Sequence, residues 1–188
     1  MLITILVILL SIAADQVSKY FLAAFLTGLE TRSYPLLPDI LHLTYVENRG
    51  AAFGMLAEHR WVFMVFSVVG IAAILLLLIK EKPTNRWVQV AAGLVVGGGI
   101  ANMIDRVRLG YVVDFIDCRF VDFYVFNVAD SCVTVGCAIY FVVVLVEEIR
   151  AYRKKKASGE AEESAETDES EESAASAVSD TEEGHGDA

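Results

Sequence analysis

Histidine, cysteine and proline are scarce in this 188-residue chain, with three of each. His42, His59 and His185 stand far apart, and neither HExxH nor GxSxG occurs. A zinc protease and a serine hydrolase built on those motifs are therefore not expected. Cys118, Cys132 and Cys137 form no CxxC pair and have no histidine at ligand spacing, which argues against a structural zinc site. Cys132 and Cys137 fall inside an apolar run and read as small packing residues, while Cys118 sits in a polar connection as a free thiol. No metal, cofactor or nucleic-acid partner is expected. Basic residues are missing altogether from residues 157–188, which carry 12 acidic ones and no aromatic. Such a segment cannot bury enough apolar surface to fold alone, so a disordered acidic tail is expected there. Residues 1–156 then hold 13 acidic and 15 basic residues, so the net charge of -10 conceals a body of +2.

What the body has in quantity is apolar residues. Hydrophobic types make up 55% of the chain, above the soluble norm of about 45–50%. Four runs, about 2–26, 61–79, 87–104 and 128–146, approach or exceed the roughly 20 residues a spanning helix needs. The second and third carry no charge. The first is interrupted by Asp15, Gln16 and Lys19, and the fourth by Asp130. LITILVILLSIAA resembles the core of a cleaved signal peptide, but no Lys or Arg precedes it and the run resumes after Lys19, so a retained helix is expected. Lys80, Lys82 and Arg86 crowd one short link, and Arg150, Arg153, Lys154, Lys155 and Lys156 follow the last run. By the positive-inside rule both lie in the cytoplasm. Four spans then put both termini inside and the longer connections, 27–60 and 105–127, outside.

Those outer connections carry the polar content. Ile40–Val46 has strand composition and runs into the turn signal Glu47-Asn48-Arg49-Gly50, which predicts a small strand-rich platform. The second connection interleaves Phe115, Phe120, Phe123, Tyr124 and Phe126 with charges. It reads equally as an anchor in the headgroup layer and as a lid. The predicted fold class is an all-α membrane protein of four transmembrane helices with a small extracytoplasmic β platform and an interfacial aromatic segment. Residues 1–156 form the membrane domain.

Several polar constellations stand out. Asp15 and Lys19 are four apart, share a helix face, and read as an ion pair inside the bundle. Gly93 and Gly97 have the GxxxG spacing of closely packed helices. Asn102, Asp105 and Arg106 share a face at the end of the third run. They fit either an interfacial helix end or a clamp for a peptide backbone. Asn127 is placed to cap the last helix, with Asp130 at its third position. Asp114 can approach Asp130 from the preceding connection. Two close carboxylates do not both ionise easily, so one retains a proton while the other activates water. The helix dipole favours ionised Asp130, although strong coupling assigns the titration to the pair. Asp117 and Asp122 are weaker candidates, expected to face water. An ion-coupled transporter would place its carboxylates near the midplane in repeated broken helices. These gather at one face without a visible repeat. An adaptor would work through the acidic tail, and deleting that tail separates it from an enzyme.

Five segments in order, DQVSK at 15–19, VENRGAAFG at 46–54, GGGIANMIDR at 97–106, GYVVDFID at 110–117 and FNVADS at 126–131, resemble the bacterial lipoprotein signal peptidases, or signal peptidase II. The resemblance implies an intramembrane aspartic endopeptidase of the bacterial cytoplasmic membrane. Such an enzyme cleaves prolipoproteins just before the lipid-modified cysteine. It implies Asp114 and Asp130 as the catalytic pair and Asn48, Asn102, Arg106 and Asn127 as substrate contacts. Asp15, Lys19 and Asp105 match positions with a structural role. Membrane lipids and a globomycin-type inhibitor are the further partners it implies. The acidic tail lies outside the resemblance.

Overall fold

The computed structural model describes residues 1–50, 60–121 and 123–154. His59, Asp122 and the acidic tail lie outside the described residues, and with them part of VENRGAAFG. The chain divides into two units, Met1–Val143 and Val144–Ala188. The site discussed below lies within the first.

Among the described residues, four helices are long and apolar enough to cross a membrane. They are α1 (Leu2–Thr27), α2 (Arg60–Glu81), α3 (Arg86–Arg108) and α4 (Val128–Lys154). α1 adds only Thr27 to its apolar run, whereas the other three helices continue through flanking charged residues such as Lys80, Arg86 and Arg150. Three strands complete the fold: β1 (Ser33–Leu37), β2 (Leu41–Asn48) and β3 (Val112–Cys118). They form one antiparallel sheet in the order β1-β2-β3. β2 runs into the first half of the predicted turn signal, so Asn48 ends a strand rather than opening a loop.

Burial is inverted relative to a water-soluble protein. Leu10, Phe66 and Phe141 are 68%, 73% and 68% exposed, whereas Asp15 and Asn127 are fully buried. Apolar side chains face outward where the surroundings are hydrocarbon, and charges are kept inside. On α1 the buried positions are Thr4, Ser11, Asp15, Lys19 and Leu26, a single stripe at helical spacing.

That stripe meets α3, the most enclosed helix. A Cβ built on Gly93 would come within 2.8 Å of the Val7 Cβ and 3.0 Å of the Thr4 carbonyl. One on Gly97 would come within 2.8 Å of the Ser11 Cβ. The GxxxG spacing therefore brings α3 onto α1. Gly98 serves α4 instead, where a Cβ would collide with the Ala129 carbonyl. Asn85 caps the start of α3, its side chain accepting the Trp87 N–H at 2.9 Å. At the other end Gly110 adopts φ 84°, a left-handed conformation suited to glycine, and turns the chain into β3.

The stretch expected as a surface connection is thus partly a core strand. Val112, Val113, Asp114 and Phe115 are all buried, so Phe115 packs inside the protein instead of facing its surroundings. Phe120, Phe123 and Tyr124 do remain exposed. β2 carries a bulge between Leu43 and Val46 where it pairs with β3. The extra residue shifts the register between His42↔Asp117 and Val46↔Asp114.

Candidate active site

The two ends of the sequence motif DFID go to different places. Asp114 and Asp117 are three apart on β3, an odd separation, so they point to opposite faces of the strand. Asp114 turns inward and is 1% exposed. Asp117 accepts from the Thr44 hydroxyl at 2.7 Å and from Arg119 Nε at 3.1 Å. The sheet's pleat thus separates Asp114 from Asp117, the weaker of the two candidates in the sequence.

Asp114 is held from both sides. Its Oδ2 accepts from Asn48 Nδ2 at 2.9 Å, and its Oδ1 from Asn127 Nδ2 at 2.6 Å. Burial pushes its carboxyl up to about 6 from an ordinary 3.8, and the charge of Asp130 pushes the same way. The two amide hydrogen bonds and the more distant Lys19 charge oppose that shift.

Asp130 belongs to the first turn of α4, where it forms a reciprocal cap with Asn127. The Asp130 N–H donates to Asn127 Oδ1 at 2.9 Å, and the Asn127 N–H donates to Asp130 Oδ2 at 3.2 Å. The other carboxylate oxygen accepts from Asn102 Nδ2 at 2.8 Å. Asn127 therefore bonds both carboxylates, its side chain reaching Asp114 and its backbone N–H reaching Asp130. Asn102 joins the same network, its Oδ1 accepting from Asn127 Nδ2 at 3.1 Å.

Beneath this layer lies a buried ionic cluster. The Lys19 ammonium sits 2.8 Å from each of three acceptors, Asp15 Oδ2, Asp105 Oδ2 and Asn102 Oδ1. Three N–H groups meet three acceptors, so the ammonium is fully satisfied. Asp15 uses its other oxygen to accept the Ala129 N–H at 2.8 Å. An α1 carboxylate thus caps the start of α4, where the helix dipole favours negative charge. Asp105 also accepts the Val113 N–H at 3.2 Å, which ties α3 to β3.

Asp15, Lys19, Asn48, Asn102, Asp105, Asp114, Asn127 and Asp130 thus form one connected network. Arg106 stands at its edge. It makes a long hydrogen bond to the Asn102 carbonyl at 3.4 Å, and its charge faces Asp130, Asp114 and Asp105. Cys118 ends β3 half-buried as a free thiol, apart from these bonds. Gln16 was missed as a site residue. Its Nε2 donates to Asp105 at 2.8 Å and lies 3.3 Å from Asp15 and from the Ala101 carbonyl. The available signal was a carboxamide beside an intramembrane Asp, in a helix with few other polar groups.

Fold and site together define a multi-pass membrane protein with a buried and a half-buried carboxylate, Asp114 and Asp130, tied at the end of its helices. Residues 7–146 match the family described as signal peptidase (SPase) II. The chain belongs to that family and is a membrane peptidase. It is 41% identical over 144 residues to the lipoprotein signal peptidase of Streptococcus pyogenes serotype M1, covering 77% of this chain and 93% of the relative. Among solved structures it is similar to a bacterial membrane enzyme determined by the in meso method at 2.3 Å resolution. That likeness has a TM-score of 0.70 at 34% identity and covers 77% of this chain and 88% of the other. A second in meso structure of a bacterial membrane enzyme, at 1.9 Å, gives a TM-score of 0.68 at 35% identity over 76% and 92%.

Proposed function

We propose that this chain is an aspartic lipoprotein signal peptidase. It removes the signal peptide from diacylglyceryl-modified prolipoproteins by cleaving just before the lipidated cysteine. The observation that carries the reading is the pair Asp114 and Asp130, which Asn127 bonds on both sides from its place between strand and helix. One carboxylate of the pair rests ionised and takes a proton from water, and the resulting hydroxide attacks the scissile carbonyl carbon. The other, protonated, donates to the carbonyl oxygen. The tetrahedral intermediate then collapses: the carboxyl that received the water proton delivers it to the leaving amine as the C–N bond breaks, and the former carbonyl oxygen returns its proton to the other carboxylate as the C=O bond re-forms. Burial supports the sharing of one proton, since it holds the Asp114 carboxyl at about 6.

Asn48, Asn102, Arg106 and Asn127 surround the pair, and N–H groups of Asn48, Asn102 and Arg106 suit the carbonyls of an extended peptide. Asn127 is fully buried, so its contribution is to hold the carboxylates in place. An amphiphilic substrate fits the setting, with acyl chains left in lipid while the scissile bond reaches the end of the helices. The distribution of Lys and Arg supports a cytoplasmic-membrane protein with both termini inside and the site on the outer face.

The test is cleavage of a diacylglyceryl-modified prolipoprotein by the purified protein in detergent. Wild type is run beside Asp114→Asn and Asp130→Asn, with EDTA in parallel. Cleavage by wild type despite EDTA, and none by either folded variant, is expected. Cleavage by both variants would overturn the pair.

A further inference from the structure

The network contains three asparagine carboxamides, Asn48, Asn102 and Asn127, and a carboxamide can face its neighbours in two ways. Asn102 has a donor end and an acceptor end, and its donor end reaches Asp130 at 2.8 Å. Two donors fix that direction from the other side. Lys19 Nζ lies 2.8 Å from Asn102 Oδ1, and Asn127 Nδ2 lies 3.1 Å from the same oxygen. An ammonium has no acceptor, so Lys19 accommodates only the oxygen end. Flipping Asn102 would set its NH2 against the ammonium and against the Asn127 NH2, and its oxygen against the Asp130 carboxylate. Asn127 is fixed in turn, because its Oδ1 accepts the Asp130 N–H at 2.9 Å and its NH2 reaches Asp114. Lys19 is 4% exposed and is itself held by Asp15 and Asp105 at 2.8 Å each.

We propose that Lys19 is a positioning residue for the reaction: its ammonium sets the direction of the Asn102 amide, which presents N–H to Asp130 and, through Asn127, to Asp114. Touching no substrate, it acts from α1 on groups of α3 and α4. This inference rests on the aspartic reading above and deepens it. The ionised state of the pair is favoured by the amides that donate to it, Asn48 and Asn127 at Asp114 and Asn102 at Asp130. With Lys19 replaced by a side chain without a donor, only the longer 3.1 Å bond from Asn127 still holds the Asn102 oxygen, so the amide turns that oxygen toward Asp130 more readily, which disfavours the base. The charges facing the pair are Lys19 and Asp15 from α1 and Arg106 from α3, with Asp105 facing Arg106 and Lys19. Loss of the Lys19 cation moves the acid limb of the rate profile to higher pH, because a nearby positive charge favours the carboxylate.

The experiment compares kcat, KM, the pH–rate profile and the melting temperature of Lys19→Met and Lys19→Arg with wild type, on a lipid-modified prolipoprotein. Lys19→Met is expected to lose about 100-fold in kcat, the order of loss that misplaced catalytic groups produce. KM should stay within about threefold and the acid limb should rise. Lys19→Arg, also a donor without an acceptor, should recover most of kcat. In an Asn102→Ala background, Lys19→Met should cost little more, because its effect runs through that amide. Lys19→Met/Asp105→Asn removes a buried anion with the cation and carries the same kcat prediction should the single variant not fold. Wild-type kcat and pH profile in the folded fraction of either variant, or full additivity with Asn102→Ala, would overturn the proposal. Asp114→Asn and Asp130→Asn are run alongside. If they are inactive while Lys19→Met behaves as wild type, the positioning role alone fails. If they cleave, the aspartic reading fails first.

Discussion

A series of glycine-to-alanine substitutions tests whether close helix packing sets the geometry of the carboxylate pair. Each adds one methyl group, and the surroundings grade its effect. Gly70 on α2 has nothing within 4 Å of an added Cβ. Alanine there should stabilise the helix by about 0.5–1 kcal/mol through backbone entropy. At Gly99 the neighbours are the tips of Ile71, at 3.1 and 3.3 Å, which can rotate away. Gly97 faces the Ser11 Cβ at 2.8 Å and the Ile8 carbonyl at 3.0 Å. Neither can rotate, so a cost of about 1–3 kcal/mol is expected from overpacking. Gly98 is the severe case, because its Cβ would overlap the Ala129 carbonyl. A carbon–oxygen contact needs about 3.3 Å or more, so the first turn of α4 must retreat by on the order of 1 Å. That movement stretches the 2.8 Å bonds from Ala129 N–H to Asp15 and from Asn102 to Asp130 beyond hydrogen-bonding range. A displacement of this size at the pair should cost about 100-fold in kcat/KM. The assay is cleavage of a lipid-modified prolipoprotein together with thermal unfolding in detergent. The expected order of loss is Gly98, then Gly97, then Gly99, with Gly70 neutral or improved. Wild-type cleavage by Gly98→Ala, or equal loss by Gly70→Ala, would refute the reasoning.

Two further outcomes follow from the site. The Asp114 carboxyl lies at about 6 in the fold against 3.8 ordinarily, so the folded state binds its proton more tightly. Its contribution to stability is complete below the unfolded value and is lost as pH rises through about 6, a difference of about 3 kcal/mol. The melting temperature of wild type relative to Asp114→Asn should therefore fall between about pH 4 and 7, and a flat difference would contradict the burial argument. Asp117→Asn should keep cleavage within about threefold while costing about 1–2 kcal/mol of stability. It weakens the bonds from Thr44 and Arg119 on the far face of the strand. A loss of cleavage as deep as that of Asp114→Asn would move Asp117 into the chemistry.

The sequence by itself determined the four helices, because hydrocarbon requires long apolar runs with internally satisfied backbones, and such runs are legible residue by residue. It also determined the cap at Asn127 and Asp130 and the pairing of Asp15 with Lys19. Both act over three or four residues of one helix, a separation that sequence spacing measures directly. Tertiary structure decided the rest. Phe115 reads as an interfacial aromatic until β3 is seen to pair with β2 and bury it. Asp114 and Asp117 are equivalent in a connection, but the pleat of a strand sends them to opposite faces. Gln16 and Asp105 are 89 residues apart and meet at 2.8 Å only because α3 packs against α1. The same packing carries Lys19 to Asn102, 83 residues away. Contacts between elements depend on how closely two backbones approach and in which register, and neither quantity is written in the local pattern of one chain.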